Sequence, residues 1–280
     1  MKLIAITNHK GGSAKTTTTV NLAAALAELG RRVLVVDLDP QGSATQWLGL
    51  PLGERAVLDA YLVHSDVTSL VSPTTAPGVE LVPATYYLVA ADRRQETAIA
   101  LGIIRTLERL PAMWDFVLID CPPSHSSLAV APLAVAPYVV VPVETRVLAL
   151  SGIASLIGTM DSVRERLNPN LTLAGVIASR ANRTRHARDV VQRLRERFDG
   201  LVFDVVVREA ISLAEAPSFQ LPITRYAPEG TGAADFRMVA SELLVREVER
   251  EEWAVHVSEP IAEPAVAWPA TRPAEAPARH

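Results

Sequence analysis

Asn8-His9-Lys10-Gly11-Gly12-Ser13-Ala14-Lys15-Thr16-Thr17 decides how this chain of 280 residues is read. A short apolar run, residues 3–7, leads into it and an amphipathic stretch, residues 17–29, leads out of it. A glycine-bearing loop therefore joins a strand to a helix. Lysine is almost absent elsewhere: Lys2, Lys10 and Lys15 are the three lysines among 27 basic residues, and two of them sit in this loop. A lysine ammonium is a compact charge on a thin stem, able to enter a tight loop and meet a phosphate. The wide guanidinium fork cannot follow it there. Gly11 and Gly12 let the backbone approach such an anion, and the free N–H groups of the helix start add the positive end of its dipole. The expected ligand is a nucleotide.

On this basis residues Lys10, Gly11, Gly12, Ser13, Ala14, Lys15, Thr16 and Thr17 form the expected phosphate cradle. Lys15 reaches the β- and γ-phosphates, and the Thr16 hydroxyl is placed to ligate Mg2+. The strict pattern G-x-x-x-x-G-K-[ST] is not met, because His9 and Ala14 occupy its two glycine positions. Alanine is less free than glycine at positive φ, so a stiffer loop is expected.

Runs rich in Val, Ile and Leu recur at residues 3–7, 32–37, 79–83, 115–120, 138–143, 173–178 and 202–207. Most lack polar alternation, as strands covered on both faces of a parallel sheet do. Amphipathic stretches lie between them at 17–29, 98–110, 151–167 and 188–198, with Gly30 where a C-cap glycine belongs. The expected fold is α/β, a doubly wound, mostly parallel sheet with helices on both faces. In such sheets ligands bind at the carboxyl ends of the strands. Two strand candidates end there in acid, Val36-Asp37-Leu38-Asp39-Pro40 and Ile119-Asp120-Cys121-Pro122. Three carboxylates around a triphosphate suit the holding of Mg2+ and an attacking water.

Four segments together resemble the ParA/Soj branch of the ParA/MinD ATPases, over residues 2 to about 248. Lys10-Gly11-Gly12-x-x-Lys15-Thr16 is similar to that family's deviant Walker A box, marked by the extra lysine. Val35-Val36-Asp37-Leu38-Asp39-Pro40-Gln41-Gly42 resembles its next motif, Asp120-Cys121-Pro122-Pro123-Ser124 its Walker B region, and Leu213-Ala214-Glu215-Ala216-Pro217-Ser218 a late signature. The resemblance implies a P-loop ATPase domain over residues 1–253 that hydrolyses ATP slowly with Mg2+ and forms an ATP-bound homodimer. It implies that Lys10 crosses the dimer interface to the partner's nucleotide and that Asp39 positions the attacking water. Asp120 would hold Mg2+ through its water shell, with Asp37 supporting the same site. Ser13-Ala14 stands where the family has Val-Gly, which bears on affinity and turnover. Arg180 and Arg208, in the segments 180–182 and 208–210, are expected to border the base.

Residues 180–197 carry seven arginines against Asp189 and Glu196, in a chain whose net charge is −4. No aromatic residue lies between Arg180 and Arg188, so phosphate contact without base stacking is the simpler expectation. The family's nonspecific DNA binding falls in the matching region, which points to Arg183, Arg185 and Arg188. The expected role is partition of a plasmid or chromosome with a ParB-like adaptor, the protein being cytoplasmic and nucleoid-associated. The same motifs would serve a relative that positions a protein cargo, such as a carboxysome or chemoreceptor cluster, through another adaptor. The chain opens directly on its first strand, so an N-terminal DNA-reading extension and operator-specific autorepression are not expected.

Composition closes other routes. The single cysteine, Cys121, excludes a disulfide framework and a cysteine-rich metal site within one chain, and a packed side chain is its expected role. Ser124-His125 lacks a third triad member, and the six histidines have no metal-ligand spacing. No signal peptide opens the chain, and the apolar runs fall short of the ~20 residues of a membrane span. A helix is expected over 233–253. It ends in Glu247, Glu249, Glu251 and Glu252, which an anionic bilayer repels, so MinD-like membrane cycling and a membrane partner are not expected. Residues 254–280 hold five prolines and eight alanines, too little to build a core, and are expected to be a disordered tail.

Overall fold

The computed structural model describes residues 1–62, 67–88, 96–123, 126–145 and 149–253. The strands are β1 Lys2–Ile6, β2 Val33–Asp37, β3 Ser72–Pro73, β4 Val79–Val82, β5 Phe116–Asp120, β6 Tyr138–Glu144 and β7 Thr172–Ser179. They form one sheet in the order β3-β4-β2-β5-β1-β6-β7, parallel throughout except for the β3–β4 edge. The helices, in chain order, are α1 Lys15–Glu28, α2 Ser43–Trp47, α3 Arg55–Leu62, α4 Glu96–Glu108 and α5 Ser127–Val135. They continue with α6 Ala149–Arg166, α7 Arg185–Arg197, α8 Ile211–Glu215, α9 Ile223–Tyr226 and α10 Thr231–Trp253.

The period of two in the strands builds two cores. Leu3 and Ala5, Leu34 and Val36, Val117 and Ile119 all join one buried cluster, closed by α3 to α7. Ile4 and Ile6, Val33 and Val35, Phe116 and Leu118 join the other, closed by α1, α2 and the 231–244 part of α10. Both faces of each central strand are thus apolar, which is why these runs read as unbroken Val, Ile and Leu. The chain divides into two compact units, Met1–Leu244 and Val245–His280, and both cores belong to the first. The expected tail, 254–280, and the pair Ser124-His125 lie outside the described residues. Among the described residues no helix is long and apolar enough to cross a membrane.

One expected strand is absent. Residues 202–207 run beside β7 and touch it at single points, where Phe203 N–H donates to Val176 and Val207 N–H to Ala178, each at 2.9 Å. Between these points the N–H groups of Asp204 and Val205 donate instead to the carboxylate of Glu242 on α10, at 2.8 and 3.1 Å. A side chain has taken the donors that a ladder requires.

The α3–α4 contact admits no extra atom. A Cβ on Gly102 would collide with the backbone carbonyl of Tyr61. Gly102→Ala is therefore expected to cost about 1–3 kcal/mol of stability, read as a lower midpoint in urea unfolding; an unchanged midpoint would contradict this packing.

Candidate nucleotide site

Register brings the site together. Ile6 of β1 pairs with Asp120 of β5, and Asp120 pairs with Asp37 of β2, so the loop after β1 opens beside two carboxylates. Asn8 anchors the loop's start: its Nδ2 donates to the Pro142 carbonyl at 2.9 Å, and its Oδ1 accepts the Lys10 N–H at 3.1 Å. Ala14 takes the left-handed conformation, φ 68°, that the missing glycine would supply freely. For an L-residue this costs about 1–2 kcal/mol, held in place by the rest of the loop. Nothing lies within 4 Å of where a Cβ would stand on Gly11 or Gly12, so the space above the loop is open. The first-turn N–H groups of α1 lack intrahelical acceptors, as at any helix start, and are available to an anion.

Lys15 is buried, with 6% of its surface exposed, and among the described residues its Nζ makes only a long 3.4 Å hydrogen bond to the Lys10 carbonyl. Burial lowers its pKa, while Asp120 above all pulls the other way. Asp120 is fully buried and accepts hydrogen bonds from Thr16 Oγ1 at 2.8 Å and Thr19 Oγ1 at 3.0 Å. Burial still pushes its pKa up to about 6. Burial, and then the neighbouring Asp120, push Asp37 up to about 8, against the hydrogen bonds from Thr45. Asp39 is 9% exposed, and its Oδ1 accepts the Gln41 N–H at 3.0 Å.

These groups fit a phosphate chain with a divalent cation. Buried carboxylates with raised pKa values are short of positive charge, Lys15 is short of an acceptor, and the hydroxyls of Ser13 and Ser179 are buried without partners among the described residues. Among the described residues no cluster of three or more His, Cys, Asp or Glu side chains would enclose a metal. A cation here must complete its shell with water and phosphate oxygens, as Mg2+ does.

The raised carboxyls carry a pH signature. The folded state holds these protons more tightly than the unfolded chain, so their effect is to lower stability as pH rises through the unfolded value and up to the folded one, about 4 to 6 for Asp120. Asp120→Asn should therefore make the nucleotide-free protein more stable at pH 8, by on the order of 2 kcal/mol, and the gain should vanish near pH 4. Thermal unfolding of both proteins across this range checks it, and a variant less stable at pH 8 would contradict it.

Ser13, Ala14, Lys15, Thr16 and Thr17 of the loop line a cleft of about 640 Å³ together with Asp39. Arg180 and the segment 207–210 line the same cleft. These two stretches lie together because Ala181 pairs with Arg208: Ala181 N–H donates to Val207 at 3.1 Å and Glu209 N–H to Ala181 at 3.0 Å. Both arginines are held by acids. Arg180 Nη1 lies 2.7 Å from Glu144, and Arg208 grips the buried Asp235 through Nε and Nη2. Lys10 and Gly11 flank the cleft wall without forming it, and Lys10 is half-buried. Asp120 stands one hydrogen bond behind Thr16, whereas Asp37 does not line the cleft and touches its wall through the backbone N–H of Asp39, with no cleft-lining hydroxyl as partner.

Beyond Arg180 the chain turns into α7. Thr184 caps that helix, its hydroxyl accepting the Ala187 N–H at 3.2 Å while donating to Asn182 at 2.6 Å. Arg183, Arg185 and Arg188 are exposed, and among the described residues none of them forms an ion pair. Cations at a helix start oppose its dipole, so this placement gains nothing for the fold.

Sequence reasoning did not single out Asn8, Thr19, Thr45 or Ser179. Thr19 had a signal: it lies three residues after Thr16, on the same helix face, so both hydroxyls meet one carboxylate. Cys121 is fully buried, as a packed side chain should be.

A family model described as an AAA domain matches residues 1–173. The chromosome-partitioning ATPase Soj of Thermus thermophilus is 44% identical over 247 residues, 88% of this chain and 96% of that protein. The sporulation initiation inhibitor protein Soj of Bacillus subtilis is 37% identical over 247 residues, 86% of this chain and 98% of that protein. Among solved structures, cobyrinic acid a,c-diamide synthase from Mycobacterium smegmatis with bound ADP and magnesium matches with a TM-score of 0.74 at 31% identity, over 94% of this chain and 100% of that one. With a family model over residues 1–173 and relatives this similar over nearly their whole length, the chain belongs to the ParA/Soj family of ATPases.

Proposed function

We propose that this ATPase binds Mg-ATP in the cleft above the loop, pairs with a second copy while ATP is bound, and in that state holds DNA without reading its sequence. Its work is the partition of a plasmid or chromosome, on the nucleoid, with hydrolysis stimulated by a ParB-like adaptor. Lys15 and the N–H groups of residues 11–17 neutralise the phosphates, Lys10 reaches the partner's nucleotide, and Arg180 and Arg208 flank the base. Thr16 and Asp120 would hold Mg2+, which would supply positive charge to offset the charge that develops on the phosphates. Asp39, on the cleft wall, orients the attacking water.

One observation carries the DNA part of this proposal: Arg180 lines the nucleotide cleft, and the exposed Arg183, Arg185 and Arg188 follow it within eight residues, across the cap of α7. Occupancy of the cleft and the set of the arginines share one short stretch of chain. The test is DNA retention with ATP, with ADP and without nucleotide. Wild type should be retained with ATP alone. Arg183→Glu or Arg185→Glu should weaken retention at least about tenfold and lower the slope of log affinity against log salt, by roughly 0.9 for each phosphate no longer neutralised. Unchanged binding in both variants would overturn the assignment of these residues.

A further inference from the structure

Asp37 behaves unlike a group waiting for a metal. Its Oδ2 accepts the Thr45 N–H at 2.8 Å and the Thr45 hydroxyl at 2.7 Å, and its Oδ1 accepts the Asp39 N–H at 3.1 Å. Asp37 and Thr45 are both fully buried. The Thr45 hydroxyl also accepts the N–H of Ala84, just after β4, at 2.9 Å. One carboxylate therefore clasps both ends of the segment 39–45, and one hydroxyl ties the clasp to the neighbouring strand. The segment has little other freedom. Leu38 N–H donates to the backbone carbonyl of Asp120 at 3.0 Å, Gly42 N–H donates to the backbone carbonyl of Asp39 at 2.8 Å, and Gly42 sits at φ 62°, where a Cβ would strike the Leu52 side chain. The part of this segment that lines the cleft includes Asp39.

We propose that Asp37 and Thr45 are positioning residues for hydrolysis: they fix the backbone that presents Asp39 to the cleft, and they do not ligate the metal. This rests on the reading that Asp39 orients the attacking water. An acid at the end of β2 is needed because three donors converge there: two backbone N–H groups and one hydroxyl. The two oxygens of one side-chain carboxyl group accept all three. Thr45 is needed because its hydroxyl donates to the acid while accepting from Ala84, which valine of the same shape cannot do.

The test compares steady-state ATP hydrolysis in Thr45→Val, Thr45→Ser, Asp39→Ala and the Thr45→Val/Asp39→Ala double variant, with ATP and Mg2+ each titrated. Thr45→Val should lower kcat roughly 10- to 100-fold, the scale on which a displaced reacting group acts. KM for ATP and the half-saturating Mg2+ concentration should stay within about 3-fold, which also shows that the variant is folded. Thr45→Ser, which keeps the hydroxyl, should restore kcat to within about 3-fold of wild type, and adding Thr45→Val to Asp39→Ala should cost nothing further. Should Thr45→Val not fold, Thr45→Ala carries the same comparison. The inference is overturned if Thr45→Val turns over like wild type, if its loss adds in full to that of Asp39→Ala, or if the Mg2+ requirement rises in step with the loss of kcat. If Asp39→Ala itself turns over normally, the role given to Asp39 fails first and the inference with it. If Asp39→Ala is inactive while Thr45→Val is not, the inference alone fails.

Discussion

Lys15→Ala is expected to leave a folded protein that no longer binds ATP at cellular concentrations. In the wild type Lys15 is 6% exposed, its pKa is lowered by burial, and its one hydrogen bond among the described residues, to the Lys10 carbonyl, is a long 3.4 Å. Such a group is costly to keep and poorly satisfied until an anion arrives. Removing one partner of a buried charge pair costs on the order of 3–5 kcal/mol, about two to three and a half decades in Kd. Lys15→Arg should not restore binding, because the guanidinium fork does not fit a site shaped for a slim ammonium. Titration calorimetry with ATP decides the matter. A Kd within about 3-fold of wild type for Lys15→Ala would remove this residue from the phosphate site.

Lys10→Ala is expected to separate nucleotide binding from pairing of the two copies. Lys10 lies in the same loop but off the cleft wall, half-buried, with its backbone N–H held by Asn8 and its carbonyl by Lys15. Its own protomer's site therefore loses little when the side chain goes. In the proposed dimer the partner's phosphates would instead lose a charge-assisted hydrogen bond, worth roughly 1.5–3 kcal/mol at each of two symmetric sites. ATP affinity should stay within about 3-fold, while light scattering with ATP should show monomer where wild type shows dimer, and turnover should fall with it. Undiminished dimerisation of Lys10→Ala would count against the trans role.

How much of this was legible in the chain differs from one residue to the next. The loop was, because two lysines in an arginine-rich sequence and a pair of glycines mark it locally. The central strands were, because burial on both faces writes itself as unbroken Val, Ile and Leu. Residues 202–207 look the same on paper, and what keeps them out of the sheet is the carboxylate of Glu242, 38 residues beyond Asp204. α5 left no trace, since Ser127–Val135 is apolar on every side and contains Pro132, so no period of 3.6 emerges. Asp37 illustrates the limit at the site. A carboxylate at a strand end is visible, but the donors it faces come from a turn whose course only the folded chain sets. Arg180 and Arg208 share a wall because Ala181 pairs with Arg208 across a gap that no local pattern announces.

The proposed mechanism centres on two slim cations, one from each protomer, that would meet at a single triphosphate. A crystal structure with a nonhydrolysable ATP analogue and Mg2+ tests that most directly. The expected result is a two-fold dimer in which Lys15 contacts the phosphates of its own subunit and Lys10 those bound by the other. A single subunit in solution and crystal, or a dimer in which Lys10 points away from both nucleotides, would contradict it.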